Sequence, residues 1–142
     1  MPRLQASGSV VLALDTNVLV RILIDDPGSA RQCAAARRLA SAAGKVYVSQ
    51  VVQIETVWVL ESVYGFARAE LAGALDGLLS NQSFVLQQAD IFRAALGEFR
   101  VGPADFSDYV ILMQARAERI DLATFDRKLS KLTGTRLILV NA

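Results

Sequence analysis

The sequence predicts an α/β fold: a three-layer α/β/α sandwich with a central, mostly parallel sheet. Three observations carry this. A continuous apolar run, Val10–Leu14, leads straight into Asp15. It is too unbroken for a half-exposed strand and reads as one buried on both faces. Strand-like and helix-like segments then alternate along the chain, which calls for parallel strands joined by helical crossovers and helices on both faces of the sheet. No internal repeat or low-complexity linker interrupts the alternation, so residues 10–142 read as one domain and residues 1–9 as a loose tail.

The elements follow in order. Thr16–Ile24 predicts a short helix, closed by the turn Asp25-Asp26-Pro27-Gly28. Ser29 can cap a second helix running to Ala43, rich in Ala, Arg and Leu and stopped by Gly44. Its Arg31, Arg37 and Arg38 read as a solvated face. Lys45–Ser49 is β-rich. Val51–Val63 has apolar residues at helical spacing and ends at Tyr64-Gly65, a glycine cap. Arg68–Leu79 predicts a helix with a leucine stripe, Ser83–Leu86 a strand and Ala89–Phe99 a helix. After Gly102-Pro103-Ala104, either Asp105 or Ser107 can cap a helix running to Arg119. Ile120–Thr124 and Arg136–Val140 complete the set of strands.

Composition narrows the chemistry. The chain has 142 residues, 53% hydrophobic and 20% charged, enough for a full core without staples. Fifteen basic and fourteen acidic residues leave a net charge of +1, so a nucleic-acid partner has to be argued from a local site. Cys33 is the only cysteine, which excludes an intrachain disulfide and fits a reducing cytoplasm. There is no histidine, and with it go histidine-based triads, His-ligated zinc and histidine general bases. The apolar stretch Val10–Ile24 is broken by Asp15, Asn17 and Arg21, short of the ~20 apolar residues of a membrane span. No signal peptide or span is expected.

Chemistry therefore falls to carboxylates. Asp15 ends the first strand, Glu55 lies early in the helix after the second, Asp108 is in the first turn of the helix before the fourth, and Asp126 follows the fourth. In a doubly wound sheet these positions can converge on one rim, at the carboxyl ends of the strands. Clustered carboxylates repel, and a divalent cation relieves the conflict; an all-oxygen set suits Mg²⁺ or Mn²⁺ and phosphodiester hydrolysis. Each acid also has an ordinary reading. Asp15 can cap the next helix, Glu55 can be solvated or paired with a lysine, Asp108 can serve the helix dipole, and Asp126 can sit in a turn. Asp105 reads first as a cap.

Read together, Leu14-Asp15-Thr16-Asn17-Val18-Leu19-Val20, Asp25-Asp26-Pro27, Ser49–Leu60 with Tyr64-Gly65, Asp105-Phe106-Ser107-Asp108-Tyr109-Val110 and Ala123–Leu129 resemble the PIN-domain ribonucleases. Within that group they are similar to the VapC-type toxins of toxin–antitoxin pairs. The resemblance spans about Val11 to Val140. It implies Mg²⁺- or Mn²⁺-dependent endonucleolytic cleavage of RNA, with the acidic set on Asp15, Glu55, Asp108 and Asp126. It also implies supporting roles for Asn17 and Thr124, with Asp105 close enough to assist. Arg21, Arg127 and Lys128, near the acids in sequence, are expected RNA contacts.

The same resemblance implies a homodimer and a VapB-like antitoxin whose helix lies in an apolar groove. Candidates for the groove are Val57, Trp58, Leu60, Leu71, Leu75 and Leu78, each of which also reads as ordinary core. A PIN nuclease of RNA maturation and a catalytically silent PIN scaffold are the alternatives. A haloacid-dehalogenase-like phosphatase needs an aspartate where Asn17 stands. A response-regulator receiver needs one after the third strand, where Gln87-Gln88 offers none.

Overall fold

The structure, a computed structural model, describes residues 12–140. The tail read at residues 1–9, and Val10 and Val11 of the first predicted strand, lie outside the described residues. The chain divides into two compact units, Met1–Ala89 and Asp90–Ala142.

In the first unit, β1 (Leu12–Ala13), β2 (Val46–Val48) and β3 (Phe84–Leu86) form a parallel sheet in the order β1-β2-β3. Ala13 pairs with Tyr47, and Tyr47 with Val85. The crossover from β1 to β2 carries α1 (Thr16–Leu23), a 3₁₀ turn and α2 (Ala30–Ala43). The crossover from β2 to β3 carries α3 (Gln50–Ser62) and α4 (Arg68–Ser80). α1 packs on α2 and α3. The predicted stripe of α4 is core: Leu71, Leu75 and Leu78 are fully buried, each contributing about 1.5–3 kcal/mol.

Two sequence punctuation marks act as expected. Gly65 takes φ 66°, its N–H bonds Glu61 O, and the Phe66 N–H bonds Leu60 O, which closes the end of α3 through a glycine in the left-handed region. The Asp25-Asp26-Pro27 turn and Tyr64, far apart in the chain, prove to be joined. The Tyr64 hydroxyl donates to Asp26 Oδ2 at 2.9 Å and accepts from Arg21 Nη1 at 2.7 Å. Arg37, expected on a solvated face, also pins α2 by pairing with Asp25 at 2.7 Å.

The second unit opens with α5 (Ala89–Val101), followed by α6 (Phe106–Ala117), β4 (Leu122–Thr124) and β5 (Thr135–Leu137). β4 and β5 are parallel, Ala123 opposite Arg136, and α6 packs on β4. The core is aromatic: Phe106 meets Phe92 and Phe99 edge-on, with centroids 5.5 and 5.9 Å away. The buried Tyr109 hydroxyl accepts the Ala104 N–H at 3.1 Å. Gly102 is required beside it, because a Cβ there would stand 2.0 Å from that hydroxyl.

Two expectations change. β1 is not buried on both faces. Leu12 and Ala13 are exposed and only Leu14, just past the strand, is buried; among the described residues β1 has β2 as its one strand neighbour. All strands among the described residues pair in parallel, as expected; their hydrogen-bonded ladders group them as three strands and two. The last strand also starts one residue earlier than expected and ends at Leu137. Among the described residues no helix is long and apolar enough to cross a membrane.

Candidate active site

In the first unit, the two acids stand at the carboxyl ends of strands. Asp15 is two residues past β1 and is the N-cap of α1: its Oδ1 accepts the Val18 N–H at 2.9 Å. Thr16, the first residue of α1, donates its hydroxyl to Glu55 Oε1 at 3.0 Å. Glu55 reaches that position because α3 is anchored tightly as it leaves β2. Ser49 Oγ accepts the Val52 N–H, and Gln87 Oε1 accepts the Gln50 N–H at 2.8 Å. Gln53, only 1% exposed, donates its amide to Val48 O at 3.2 Å and Gln87 O at 2.9 Å, which ties α3 to the ends of β2 and β3.

In the second unit, Asp105 is the N-cap of α6, and its N–H donates to Asp108 Oδ2 at 3.3 Å, one arm of a capping box. Asp126 lies two residues past β4. Its Oδ1 accepts the N–H groups of Lys128 at 2.8 Å and Leu129 at 3.1 Å, while Thr124 Oγ1 accepts the Asp126 N–H at 3.0 Å. Buried Leu129 holds the turn in place. Partial burial pushes the Asp108 carboxyl above its usual range. The Asp105 N–H works against this shift, and the neighbouring carboxylates of Asp105 and Asp126 add to it.

The ordinary readings of Asp15, Asp108 and Asp126 are thus correct as local structure: one caps a helix, one sits in a capping box, one organises a turn. They do not use up the side chains. In each of the four acids a single oxygen takes the internal bond: Asp15 Oδ1, Glu55 Oε1, Asp108 Oδ2 and Asp126 Oδ1. The other oxygen takes none among the described residues. The carboxylates are oriented by the fold and keep an acceptor.

The supporting residues sort differently. Thr124 fixes the backbone of Asp126. Asn17 is exposed and makes no hydrogen bond among the described residues, whereas Thr16, which sequence reasoning passed over, holds Glu55. A hydroxyl at the first position of a helix is a common feature, and its partner 39 residues away left no sequence signal. Gln53 was equally silent, a polar residue in an apolar helix face.

Arg21 is engaged internally with Tyr64 and Gln32. Arg127 and Lys128 are exposed, with no ion pair among the described residues. Of the groove candidates, Val57, Leu60, Leu71, Leu75 and Leu78 are buried core; only Trp58 is exposed.

Among the described residues no group of three or more acidic or cysteine side chains forms a ready metal cage. The donor chemistry still fits a hard divalent cation: the available ligand atoms are all carboxylate oxygens, and Asp108 is under repulsion that a cation relieves.

No curated protein matches the chain. Residues 12–134 match the PIN domain, a span that takes in Asp15, Glu55, Asp108 and Asp126. The chain therefore belongs to the PIN-domain family.

Proposed function

We propose that the protein is a Mg²⁺- or Mn²⁺-dependent endoribonuclease that acts as the toxin of a VapBC-type pair in the cytoplasm. PIN domains are generally nucleases, the observation that carries the metal-dependent reading is the half-used state of the four carboxylates, and the toxin role rests on the resemblance of the sequence motifs. Asp15, Glu55, Asp108 and Asp126 would hold the cation through the oxygens that the fold leaves without a partner. When bound, the cation supplies positive charge that acidifies a water and offsets charge growing on the phosphate.

The residues do the rest. Thr16 keeps Glu55 from rotating, as an outer partner of a ligand does. Thr124 and the N–H groups of Lys128 and Leu129 keep Asp126 aimed. With no histidine in the chain, proton movement at the attacking water falls to these carboxylates. A VapB-like antitoxin and a second copy of the chain are the partners this function implies. The leucines of α4 serve the core in this assembly, and Trp58 remains from the candidate groove.

Asp15→Asn keeps an acceptor for the Val18 N–H. It should abolish Mg²⁺-dependent cleavage of RNA by the purified protein while leaving its melting temperature close to wild type. Retained cleavage would sink the mechanism. Expression of the wild-type chain alone should slow growth, and Asp15→Asn should not. Harmless strong expression of an active nuclease would move the reading to RNA maturation. Absence of cleavage under any metal would move it to a binding scaffold.

A further inference from the structure

Two helices of the first unit are joined at both ends. α1 and α3 run in the same sense: Thr16, early in α1, bonds Glu55 in α3, and Arg21, late in α1, bonds Tyr64 just past the end of α3. The first contact holds a carboxylate of the site. The second is remote from it. Tyr64 follows Glu55 by roughly two and a half helical turns, and Arg21 follows Thr16 by roughly one and a half. Resting on the metal-dependent reading above, we propose that Arg21 and Tyr64 are positioning residues. They form a far lock that keeps α1 in register with α3, so that Thr16 can hold Glu55 in place for the cation.

The lock is built from directed bonds. Arg21 Nη1 donates to the Tyr64 hydroxyl at 2.7 Å, and that hydroxyl donates to Asp26 Oδ2 at 2.9 Å. Asp26 is held in turn, because its Oδ1 accepts the Gly28 N–H at 2.9 Å. Arg21 Nε donates to Gln32 Oε1 at 2.9 Å, which brings in α2. Tyr64 is fixed to α3 by the bonds of Gly65 and Phe66 back into that helix. The Arg21 side chain is only 17% exposed, with Asp26 Oδ2 3.7 Å from its Nη1. A guanidinium so far withdrawn from water is costly unless its donors are met, and its rigid fork meets several partners at once. Leu19 and Val20 bury α1, but apolar contact has no direction and lets a short helix turn or slide. The bonds at its two ends set the register. Arg21, expected at the RNA, is thereby committed to the fold.

Mn²⁺ is the probe, with free Mn²⁺ counted by its paramagnetic resonance. Tyr64→Phe removes only the hydroxyl and should weaken Mn²⁺ binding about tenfold, the low end for groups that orient a ligand. Arg21→Lys keeps the charge but cannot bridge Gln32 and Tyr64, and should weaken binding similarly. In Thr16→Val, which already lacks the near contact, Tyr64→Phe should cost nothing further. Leu78→Ala, which opens the α4 core, should lower the melting temperature more than either and leave Mn²⁺ affinity within about twofold.

Wild-type affinity in Tyr64→Phe, or losses that multiply in the double variant, would overturn the proposal. So would an equal loss in Leu78→Ala, which would mean that affinity follows stability alone. In EDTA, a ¹³C-labelled Thr16 methyl resonance should shift in Tyr64→Phe towards its position in Glu55→Ala. If the wild type takes up no Mn²⁺, the metal reading falls and this methyl decides for the lock. A resonance that moves upholds it; one that stays sinks it in either case.

Discussion

The two units present their acids in opposite ways. In Met1–Ala89 the decisive contact is long-range: Thr16 on α1 holds Glu55 on α3, 39 residues away, and Gln53 and Gln87 fix α3 over the strand ends. In Asp90–Ala142 every contact is local: Asp105 to Asp108, Thr124 to Asp126, Asp126 to Lys128 and Leu129. The first unit orients Glu55 through packed helices and Asp15 through a helix cap, whereas the second uses only caps and a turn. A local device survives changes elsewhere in the fold; a long-range one fails when either helix shifts.

The sharpest way to break the local arrangement is to disturb the turn before Asp105. Gly102→Ala places a methyl against the Tyr109 hydroxyl and should cost about 1–3 kcal/mol in urea unfolding. Tyr109→Phe should recover part of that loss in the double variant, though it leaves the Ala104 N–H without that bond. If the double variant is no more stable than Gly102→Ala, steric contact with Tyr109 is not the cause.

The long-range arrangement is tested by Thr16→Val, which keeps the shape and removes the hydroxyl. Mg²⁺ affinity, read from metal-dependent protection against thermal unfolding, should fall about 10–100-fold with little change in metal-free stability. Thr124→Val should fall less, because Thr124 bonds the backbone of Asp126 and not its carboxylate. Equal losses would erase the contrast between the units.

The smallest effect concerns Asp108. Its carboxyl is raised in the folded protein above the ordinary 3.8, so the folded state holds its proton more tightly than the unfolded one. The resulting stability is present at low pH and is lost as pH rises through the folded value. Asp108→Asn keeps an oxygen for the Asp105 N–H and removes the charge. In EDTA, its melting temperature relative to wild type should therefore rise from pH 3.5 towards neutrality. A flat difference would show that partial burial, with the carboxylates of Asp105 and Asp126 adding to it, does not raise the Asp108 carboxyl.

How much of this was legible follows the same division. Capping and turn signals are written in neighbouring residues, so Gly65 and Asp105 could be read directly; Ser29 stands at the N-cap of α2 but makes no side-chain cap bond. Asp15, Asp108 and Asp126 could be placed at a strand end, a helix start and a turn because these are sequence-local features. Thr16 and Gln53 were not, because a hydroxyl or an amide declares no partner until two helices meet.

By itself the sequence determined the alternation of strands and helices, their boundaries to within a few residues and the absence of histidine from any site the chain builds. These depend on periodicity, caps and composition, which are properties of short stretches. Tertiary structure alone decided that β1 is exposed and that the α4 leucines are core and not groove. It also tied Arg21 to Tyr64 and left Trp58 and Phe125 outside. Those outcomes depend on which surfaces remain once the helices have packed.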